Sequence, residues 1–210
     1  MENMFSVANL KEEQKAQAVA VVCGVNSEEK LLGLGLKQSE TKLQWASSSS
    51  SGYNARFTPI ICTPSQTGSG AAKTATFTGD LDGSDNWNKI CEWYTNAAST
   101  AATNYPAFNW VSTYGVNNVS HTDYKTGWYI PSIAELTEIY RNKAEINKAI
   151  TKLNEGNNGI ASSFKDDYSY WSSSQHGSTG AGAWALDFSS GCLDYGYKHF
   201  GYYVCCVRAF

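Results

Sequence analysis

The sequence has little charge, no strong excess of one sign and no long apolar run. Charged residues make up 17% of the 210 residues, against roughly 25% in an ordinary soluble domain. The net charge of -3 provides no positive field for a phosphate backbone, so we expect no nucleic-acid partner. The longest apolar run, residues 16–25, is about half of the ~20 residues that a membrane-spanning helix requires. The sequence therefore predicts no membrane span.

The start of the chain also lacks the features of a secretion signal. No basic segment precedes the apolar run, and Val22 before Cys23 is bulkier than the small residue expected at a signal cleavage site. We therefore expect any leader, and any lipid anchor that accompanies it, to lie upstream of Met1.

Metal-binding cysteine patterns are missing as well. The six cysteines contain no CxxC pair and no histidine close in sequence, so we expect no zinc site and no other metal or cofactor. Their even number is compatible with disulfides in an oxidising compartment. It is equally compatible with free buried thiols, because a core of this size does not require covalent links.

Aromatic and small polar residues are abundant instead. Aromatic residues make up 13% of the chain, and solubility must come from Ser, Thr, Asn, Gly and Tyr. This composition is typical of an outward-facing binding protein rather than of a cytosolic enzyme. We expect one domain over residues 1–210, with a polar N-terminal arm at residues 1–16.

The first part of the chain shows local signals for a hairpin and several helices. Residues 17–25 and 31–36 predict two strands, with Gly33 and Gly35 on one face where another backbone approaches. Apolar spacing predicts helices that begin at Ser84 or Asp85 and cover residues 105–114. The low-complexity stretch 47–52 predicts a solvated loop.

A capping box gives the clearest local signal. Ser132 can accept a bond from the amide three residues on while Glu135 reaches back, which predicts a helix from residue 133 to about Asn142. A further helix, with Ile146, Ile150 and Leu153 on its apolar face, is predicted to end before Gly156.

From Tyr168 onward the pattern changes to strands and turns. Trp184, Leu186 and Phe188 stand two residues apart, which predicts that they share one buried face. The same alternation places Ala185, Asp187 and Ser189 on the opposite, outward face.

Several motifs carry a resemblance to a known family. They are GWYIPSIAEL at residues 127–136, YWSSSQ at 170–175, AWALDFSSG at 183–191, Lys198, and the terminal VCCVRAF. Together they resemble the variable proteins that diversity-generating retroelements produce. The resemblance implies an α+β protein with the C-type lectin fold, in the formylglycine-generating-enzyme branch. That fold has two main helices, a small antiparallel ligand-presenting sheet and long loops.

The resemblance also implies a function. A reverse transcriptase copies a template repeat and misreads adenines, so that asparagine codons in the last part of the gene, here residues 168–210, become randomised. The protein is then expected to be extracellular, at the cell surface, and to bind an unknown protein or other macromolecule through a hypervariable face. A phage receptor-binding module of the same fold is the alternative.

The residue types in residues 168–210, here called the tail, can be compared with those that retroelement copying would produce. A randomised AAY codon reaches Tyr, Ser, Gly, Asp, His, Phe, Cys, Ala and Thr, as well as Leu, but never Trp, Met, Gln, Glu or Lys. Within residues 185–202 only Lys198 lies outside the reachable set. Asparagine does not occur after Asn158, as a tail derived from asparagine codons predicts. An ordinary exposed antiparallel sheet can have a similar composition.

A surface that varies without unfolding needs fixed, buried anchors and changeable, out-facing positions on the same strands. Scaffold residues, expected to be buried whatever their neighbours become, are Trp171, Trp184, Leu186, Phe188, Val204 and Val207. The predicted binding face comprises Asp187, Ser189, Cys192, Asp194, Tyr195, Gly196, Tyr197, His199, Phe200, Gly201 and Tyr202. Its predicted rim comprises Tyr168, Tyr170, His176 and Ser178. The tyrosines and Phe200 would supply the main contacts, and Asp187 with Asp194 would favour basic or hydroxylated partners.

Enzymatic and metal-binding alternatives are weaker. An oxidase of the same branch works through a cysteine pair, but Cys205 and Cys206 are adjacent on a strand and point to opposite faces. We therefore expect no enzymatic activity. Carboxylates at residues 80–85 resemble a calcium loop but lack the downstream glutamate, so a turn before a helix is favoured. Arg208 is expected to pair with a buried carboxylate.

Overall fold

The computed structural model describes residues 4–156 and 159–210, and it has mixed helices and small antiparallel sheets. The helices are α1 (Glu12–Lys15), α2 (Asn86–Trp93), α3 (Ala101–Asn104), α4 (Pro106–Asn118), α5 (Ile133–Arg141) and α6 (Lys143–Asn154). The strands are β1 (Ala20–Val25), β2 (Leu31–Gly35), β3 (Leu43–Gln44), β4 (Cys62–Pro64), β5 (Phe77–Gly79), β6 (Ser169–Gln175), β7 (Gly182–Asp187), β8 (Cys192–Tyr197), β9 (Gly201–Tyr202) and β10 (Val207–Ala209). The predicted α+β class is confirmed.

The two ends of the chain meet in one sheet. β1 and β2 form the predicted antiparallel hairpin, and β10 pairs with the other edge of β2. Gly33 lies at a close approach, as predicted, but the approaching group is not the one expected. Side chains approach it rather than a backbone, because a Cβ there would lie 2.4 Å from the ring of Phe210.

The tail forms the second three-stranded sheet, in the order β6-β7-β8. Its register pairs Trp171 with Ala185 and Ala185 with Asp194, and it pairs Trp184 with Tyr195. Two two-stranded sheets, β3-β9 and β4-β5, and four isolated bridges are also present among the described residues.

Hydrophobic side chains cover both faces of the β6-β7-β8 sheet. Tyr170, Trp184, Leu186 and Phe188 pack into a cluster with α5 and α6. Trp171 and Ala185 belong to a second cluster, which contains side chains from α2 and α4. All six residues predicted to be scaffold are buried, but the prediction that Ala185 faces outward was wrong, because Trp171 packs on that face.

The capping box at the start of α5 is formed as predicted. Ser132 Oγ accepts from the amide of Glu135 at 3.1 Å, and Glu135 Oε2 accepts from the amide of Ser132 at 2.8 Å. Glu135 also accepts from the amide of Gly83 and from the hydroxyl of Tyr129. The side chain thereby connects α5 to the loop before α2.

The other helices lie where the sequence predicts them, but their caps and ends differ from the prediction. α2 begins at Asn86, yet the carboxylate of Asp85 pairs with Lys89 at 2.8 Å rather than capping the helix. α4 extends beyond its predicted end to Asn118. Four helices of eight or more residues, α2, α4, α5 and α6, occur in the described residues, where the resemblance implied two main ones.

The six cysteines are free thiols, which resolves the alternative that the sequence left open. Cys205 packs in the cluster beneath α5 and α6, whereas Cys206 packs in the other cluster. The adjacent pair therefore points to opposite sides, as the alternation of a strand predicts. In the described part of the chain, no helix is long and apolar enough to cross a membrane.

Candidate functional site

The predicted binding residues lie around β8, but they are divided between the two sides of its sheet. Tyr195 and Tyr197 point to the side on which Trp184 is buried, whereas Cys192 and Asp194 point to the side of Trp171. The expectation of a single outward face was therefore wrong. Because successive residues alternate, one strand cannot present all of them to the same partner surface.

Aromatic rings dominate the first side. Tyr195, Tyr197 and Phe200 are 43%, 47% and 46% exposed, which makes them a patch of unusually accessible large side chains. The ring of His176 stacks on Tyr195 with centroids 4.2 Å apart. His199 lies 4.7 Å from Phe200 and 6.0 Å from Tyr197. We call this set, His176, Tyr195, Tyr197, His199 and Phe200, the aromatic patch.

The charge of the aromatic patch is set by its surroundings. Burial lowers the pKa of His176, and the nearby carboxylate of Asp194 only partly offsets this effect. His176 is therefore neutral at neutral pH. Its Nδ1 lies 3.2 Å from the hydroxyl of Ser178, which is exposed at the rim as predicted. The patch thus offers ring faces and hydroxyls rather than a strong charge.

The second side of β8 is smaller and partly covered. Tyr202 is half-buried with its ring 4.5 Å from that of Trp171, and burial raises its pKa. Asp194 is exposed, and Cys192 and Gly201 are half-buried. Burial is the main cause of the raised pKa of the Cys192 thiol, and nearby acidic groups add to it. The thiol is therefore protonated and unreactive at neutral pH.

Two residues predicted for the surface are buried instead. Tyr170 lies in the core, where its hydroxyl donates to Gln38 Oε1 at 2.8 Å. Gly196 is covered by Tyr202 and Trp171, since a Cβ at this position would lie 2.6 Å from the ring of Tyr202. Neither residue can contact a ligand, and their roles in the predicted face were wrong.

Asp187 has a different role from the one predicted. Its carboxylate accepts from the hydroxyls of Ser189 and Ser190 and from the amide of Ser190, at 2.6 to 2.8 Å. Burial raises its pKa, but these hydrogen bonds lower it more, so the net pKa is below its usual value. The carboxylate shapes the turn between β7 and β8, and Ser189 is exposed at that turn. Asp194 remains as the exposed carboxylate of the two.

Two tyrosines near the predicted positions were missed by the strand pattern. Tyr203 packs on Tyr168 with centroids 4.3 Å apart, and Lys165 lies over both rings. Tyr53 packs on His199 with centroids 5.2 Å apart. Tyr203 lies just beyond the last predicted residue, whereas Tyr53 comes from a serine-rich stretch that carried no signal for a site.

Lys198 is a buried cation among the exposed residues of the tail. Its Nζ donates to the carbonyls of Ala55 at 2.8 Å and Gly52 at 3.1 Å. The ammonium lies 4.5 Å from the ring of Trp45 and 4.7 Å from that of Phe57. Burial lowers the pKa of Lys198 to about 7. The residue outside the codon set is thus a core residue.

The burial of Lys198 predicts a pH-dependent stability. Because the folded-state pKa lies below the unfolded value, the unfolded chain binds more protons between pH 7 and 10, and Lys198 contributes more stability as pH rises. The slope approaches about 1.4 kcal/mol per pH unit. We expect the unfolding free energy of the wild type, relative to Lys198→Met, to increase from pH 7 to 9 in urea titrations. Subtracting the variant cancels the other titrating groups, and a difference that stays flat with pH would contradict the expectation.

The sequence singled out residues 80–85 for a turn or a calcium loop, and Arg208 for an ion pair. Asp80 pairs with Lys89 at 3.2 Å, and Asp82 accepts from the amide of Ser84, so residues 80–85 form a turn before α2. Within residues 4–156 and 159–210, no group of three His, Cys, Asp or Glu side chains is arranged to hold a metal. Among the residues that the structure describes, no carboxylate forms an ion pair with Arg208. Arg208 donates to the carbonyls of Asp123 and Thr126 instead.

Comparison with known proteins identifies the family. A family model described as the Lcl C-terminal domain matches residues 36–208. A fimbrial protein from Bacteroides ovatus ATCC 8483 has a similar fold, with a TM-score of 0.62 and 14% identity over 96% of this chain. The chain spans 46% of that protein's length. No curated protein matches the chain. Because the family model covers most of the sequence, the chain belongs to the Lcl C-terminal domain family.

Proposed function

We propose that this chain is the ligand-binding module of a surface protein and binds macromolecules through the aromatic patch. The observation that carries the proposal is the exposure of Tyr195 and Tyr197 on β8, and of Phe200 in the turn that follows it, beside strands whose scaffold residues are buried. Tyrosine offers a large contact area at the cost of two side-chain torsions, and its hydroxyl finds polar partners. The fold likeness to a fimbrial protein supports an extracellular location.

We further propose that the exposed positions are diversified by adenine-directed retroelement copying. Within residues 185–202, the exposed residues Ser189, Ser190, Asp194, Tyr195, Tyr197 and Phe200 all belong to the set that a randomised AAY codon reaches. Lys198, which does not belong to it, is buried between two rings. The burial of the one residue outside the set supports a tail in which copying leaves Lys198 unchanged as part of the framework.

The proposal assigns no catalytic chemistry to the chain. Burial raises the pKa of the Cys205 thiol to about 12, and burial also raises that of Cys206 well above its usual value. Both side chains are inaccessible to a peptide substrate. A cysteine-dependent oxidase would need a reactive, accessible thiolate.

A displayed library tests whether the aromatic patch can change and bind. The five patch positions 176, 195, 197, 199 and 200 and the rim position 178 are randomised, and yeast-displayed variants are selected against hen lysozyme. We expect binders with dissociation constants below about 1 μM. We also expect melting temperatures close to that of the parent, because the scaffold is unchanged. A control library randomises six exposed positions on α4 and α6, outside the patch.

Equal yields of binders from both libraries, or loss of folding in most patch variants, would contradict the proposed role of the patch. The diversification has its own test, which is the DNA around the gene. We expect a near-copy of the tail-coding stretch that differs only at its adenines, beside a reverse transcriptase gene. A gene without such a copy would contradict the retroelement origin but leave the binding role in place.

A further inference from the structure

Lys198 forms hydrogen bonds near both ends of the loop of residues 47–55. The amide of Ala46 donates to the carbonyl of Lys198 at 3.0 Å. The Nζ of the same residue donates to the carbonyls of Gly52 and Ala55 at the far end of the loop. Trp45 and Phe57, which flank the loop on its two sides in sequence, both contact the ammonium. One side chain from the tail thus connects the two ends of the loop.

Residues 47–52 form a loop as predicted, and residues 48, 49 and 51 are exposed, but Ser50 and Gly52 are buried and the backbone is held by hydrogen bonds. The amide of Ser47 donates to the carbonyl of Asn104 at 2.9 Å, and Ser50 Oγ donates to the carbonyl of Ser47 at 2.8 Å. Gly52 packs against Tyr105, so closely that a Cβ at Gly52 would lie 2.4 Å from the hydroxyl. These contacts hold the backbone before Tyr53, and the hydrogen bond from Lys198 to the carbonyl of Ala55 holds it after Tyr53.

The loop places Tyr53 beside the aromatic patch. Its ring meets that of His199 at an interplanar angle of 76°. The backbone of His199 is held in turn, because Gln44 Nε2 donates to its carbonyl at 2.8 Å. The carbonyl of Asn54 is in close contact with Gly180, in the turn that follows β6. Tyr53 is half-buried, and its hydroxyl has no hydrogen-bond partner among the described residues.

We propose that Tyr53 is a contact residue of the binding surface and that Lys198 is the residue that positions it. This inference rests on the proposed function. Tyr53 lies outside residues 168–210, so copying of the tail would leave it unchanged. Each variant of the tail would then keep one tyrosine with a free hydroxyl at a fixed place. The surface would combine constant and variable contacts.

The ring geometry favours a protein partner over a carbohydrate. Tyr197 and Phe200 meet at 89°, and His199 and Phe200 meet at 63°. The pairs His176–Tyr195 and Tyr197–His199 stack at 28° and 29°, so that each ring covers a face of its neighbour. Rings that meet edge to face do not form one flat platform on which a sugar ring could stack. An uneven cluster of ring edges and faces suits the side chains of a folded protein surface.

The test uses lysozyme binders selected from the patch library, in which Tyr53 is unchanged. Tyr53→Ala is introduced into ten independent binders, with Tyr124→Ala as the control, because Tyr124 packs on Arg208 and Phe210 away from β8. We expect Tyr53→Ala to weaken lysozyme binding at least tenfold in most binders. Tyr124→Ala should change it less than threefold. Melting temperatures show whether each variant is folded, and Tyr53→Phe keeps the ring if the alanine variant is not.

The positioning role of Lys198 is tested by a double-mutant cycle. If Lys198 acts through Tyr53, Lys198→Met weakens binding when Tyr53 is present and has no further effect when Tyr53 is alanine. A purely structural role would weaken binding by the same factor in both backgrounds, which would overturn the assignment.

The outcomes separate this inference from the proposed function. A library that yields no binders contradicts the proposed function itself. Binders that keep their affinity with Tyr53→Ala overturn the inference alone. Binding of the parent chain to immobilised glycans, if Tyr53→Ala abolishes it, would overturn the protein class of the partner.

Discussion

Replacing Tyr195 and Tyr197 together by alanine is expected to abolish ligand binding while leaving the fold intact. Both side chains are about half exposed, and they lie on the strand edge rather than in either core cluster. Central tyrosines of an interface each contribute about 2 kcal/mol or more, so losing both should weaken binding by about 100-fold to 1,000-fold. The melting temperature should fall by no more than about 2 °C, since little buried area is lost.

The measurement uses a lysozyme binder that retains both tyrosines, with binding followed by biolayer interferometry and stability by calorimetry. Trp184→Ala is the matched control on the neighbouring strand, because Trp184 is buried and its Nε1 donates to the carbonyl of Cys62 at 2.7 Å. That variant should lose about 3–5 kcal/mol of stability. A large loss of stability in the double tyrosine variant would show that these residues belong to the core.

Glu135→Ala is expected to destabilise the protein more than any other substitution at a helix start. The carboxylate of Glu135 accepts from the amides of Ser132 and Gly83 and from the hydroxyl of Tyr129, all in a buried environment. Removing it leaves three buried donors without this partner, at a cost of about 1–3 kcal/mol for each donor that stays unsatisfied. We expect a total loss of about 3–5 kcal/mol in urea unfolding.

The same residue predicts a pH dependence opposite to that of Lys198. Burial raises the pKa of Glu135 to about 7, although its hydrogen bonds oppose this rise. The folded protein therefore binds more protons than the unfolded chain between pH 4.5 and 7, and the contribution of Glu135 to stability falls as pH rises through this range. Glu135→Gln should remove that slope. A wild type and a glutamine variant with parallel pH profiles would contradict it.

Local sequence signals predicted the helices around this residue well. The start of α5 follows from Ser132 and Glu135 alone, because a capping box involves residues three apart in the chain. The hairpin of β1 and β2 and the burial of Trp184, Leu186 and Phe188 follow from alternation along single strands. Each of these predictions needed only neighbours within one element.

Errors arose where a second element decides which side of a strand is covered. Alternation placed Ala185 and Gly196 on an outward face, but Trp171 from the neighbouring strand covers that side. Tyr170 was assigned to the rim because its residue type suits a surface, whereas its hydroxyl meets Gln38, 132 residues away in sequence. No pattern within residues 168–210 contains this contact.

The candidate site was only partly predictable for the same reason. The sequence placed Tyr195, Tyr197 and Phe200 on the surface, which the structure shows, but it combined both sides of β8 into one face. Tyr53 reaches the aromatic patch through contacts of Lys198 that span 143 and 146 residues. A run of serines contains no periodic signal, so its folded conformation follows only from these distant partners.

The last strand of the chain has a consequence for translation. β10 completes the sheet that begins with β1 and β2, and the amide of Phe210 donates to the carbonyl of Leu31. A two-stranded hairpin is marginally stable in water without further partners. A chain that terminates early or shifts its reading frame anywhere in the tail lacks this strand and leaves the amino-terminal hairpin incomplete. Only products read in frame through β10 would complete this sheet, so the proposed copying of the tail would have to preserve its length.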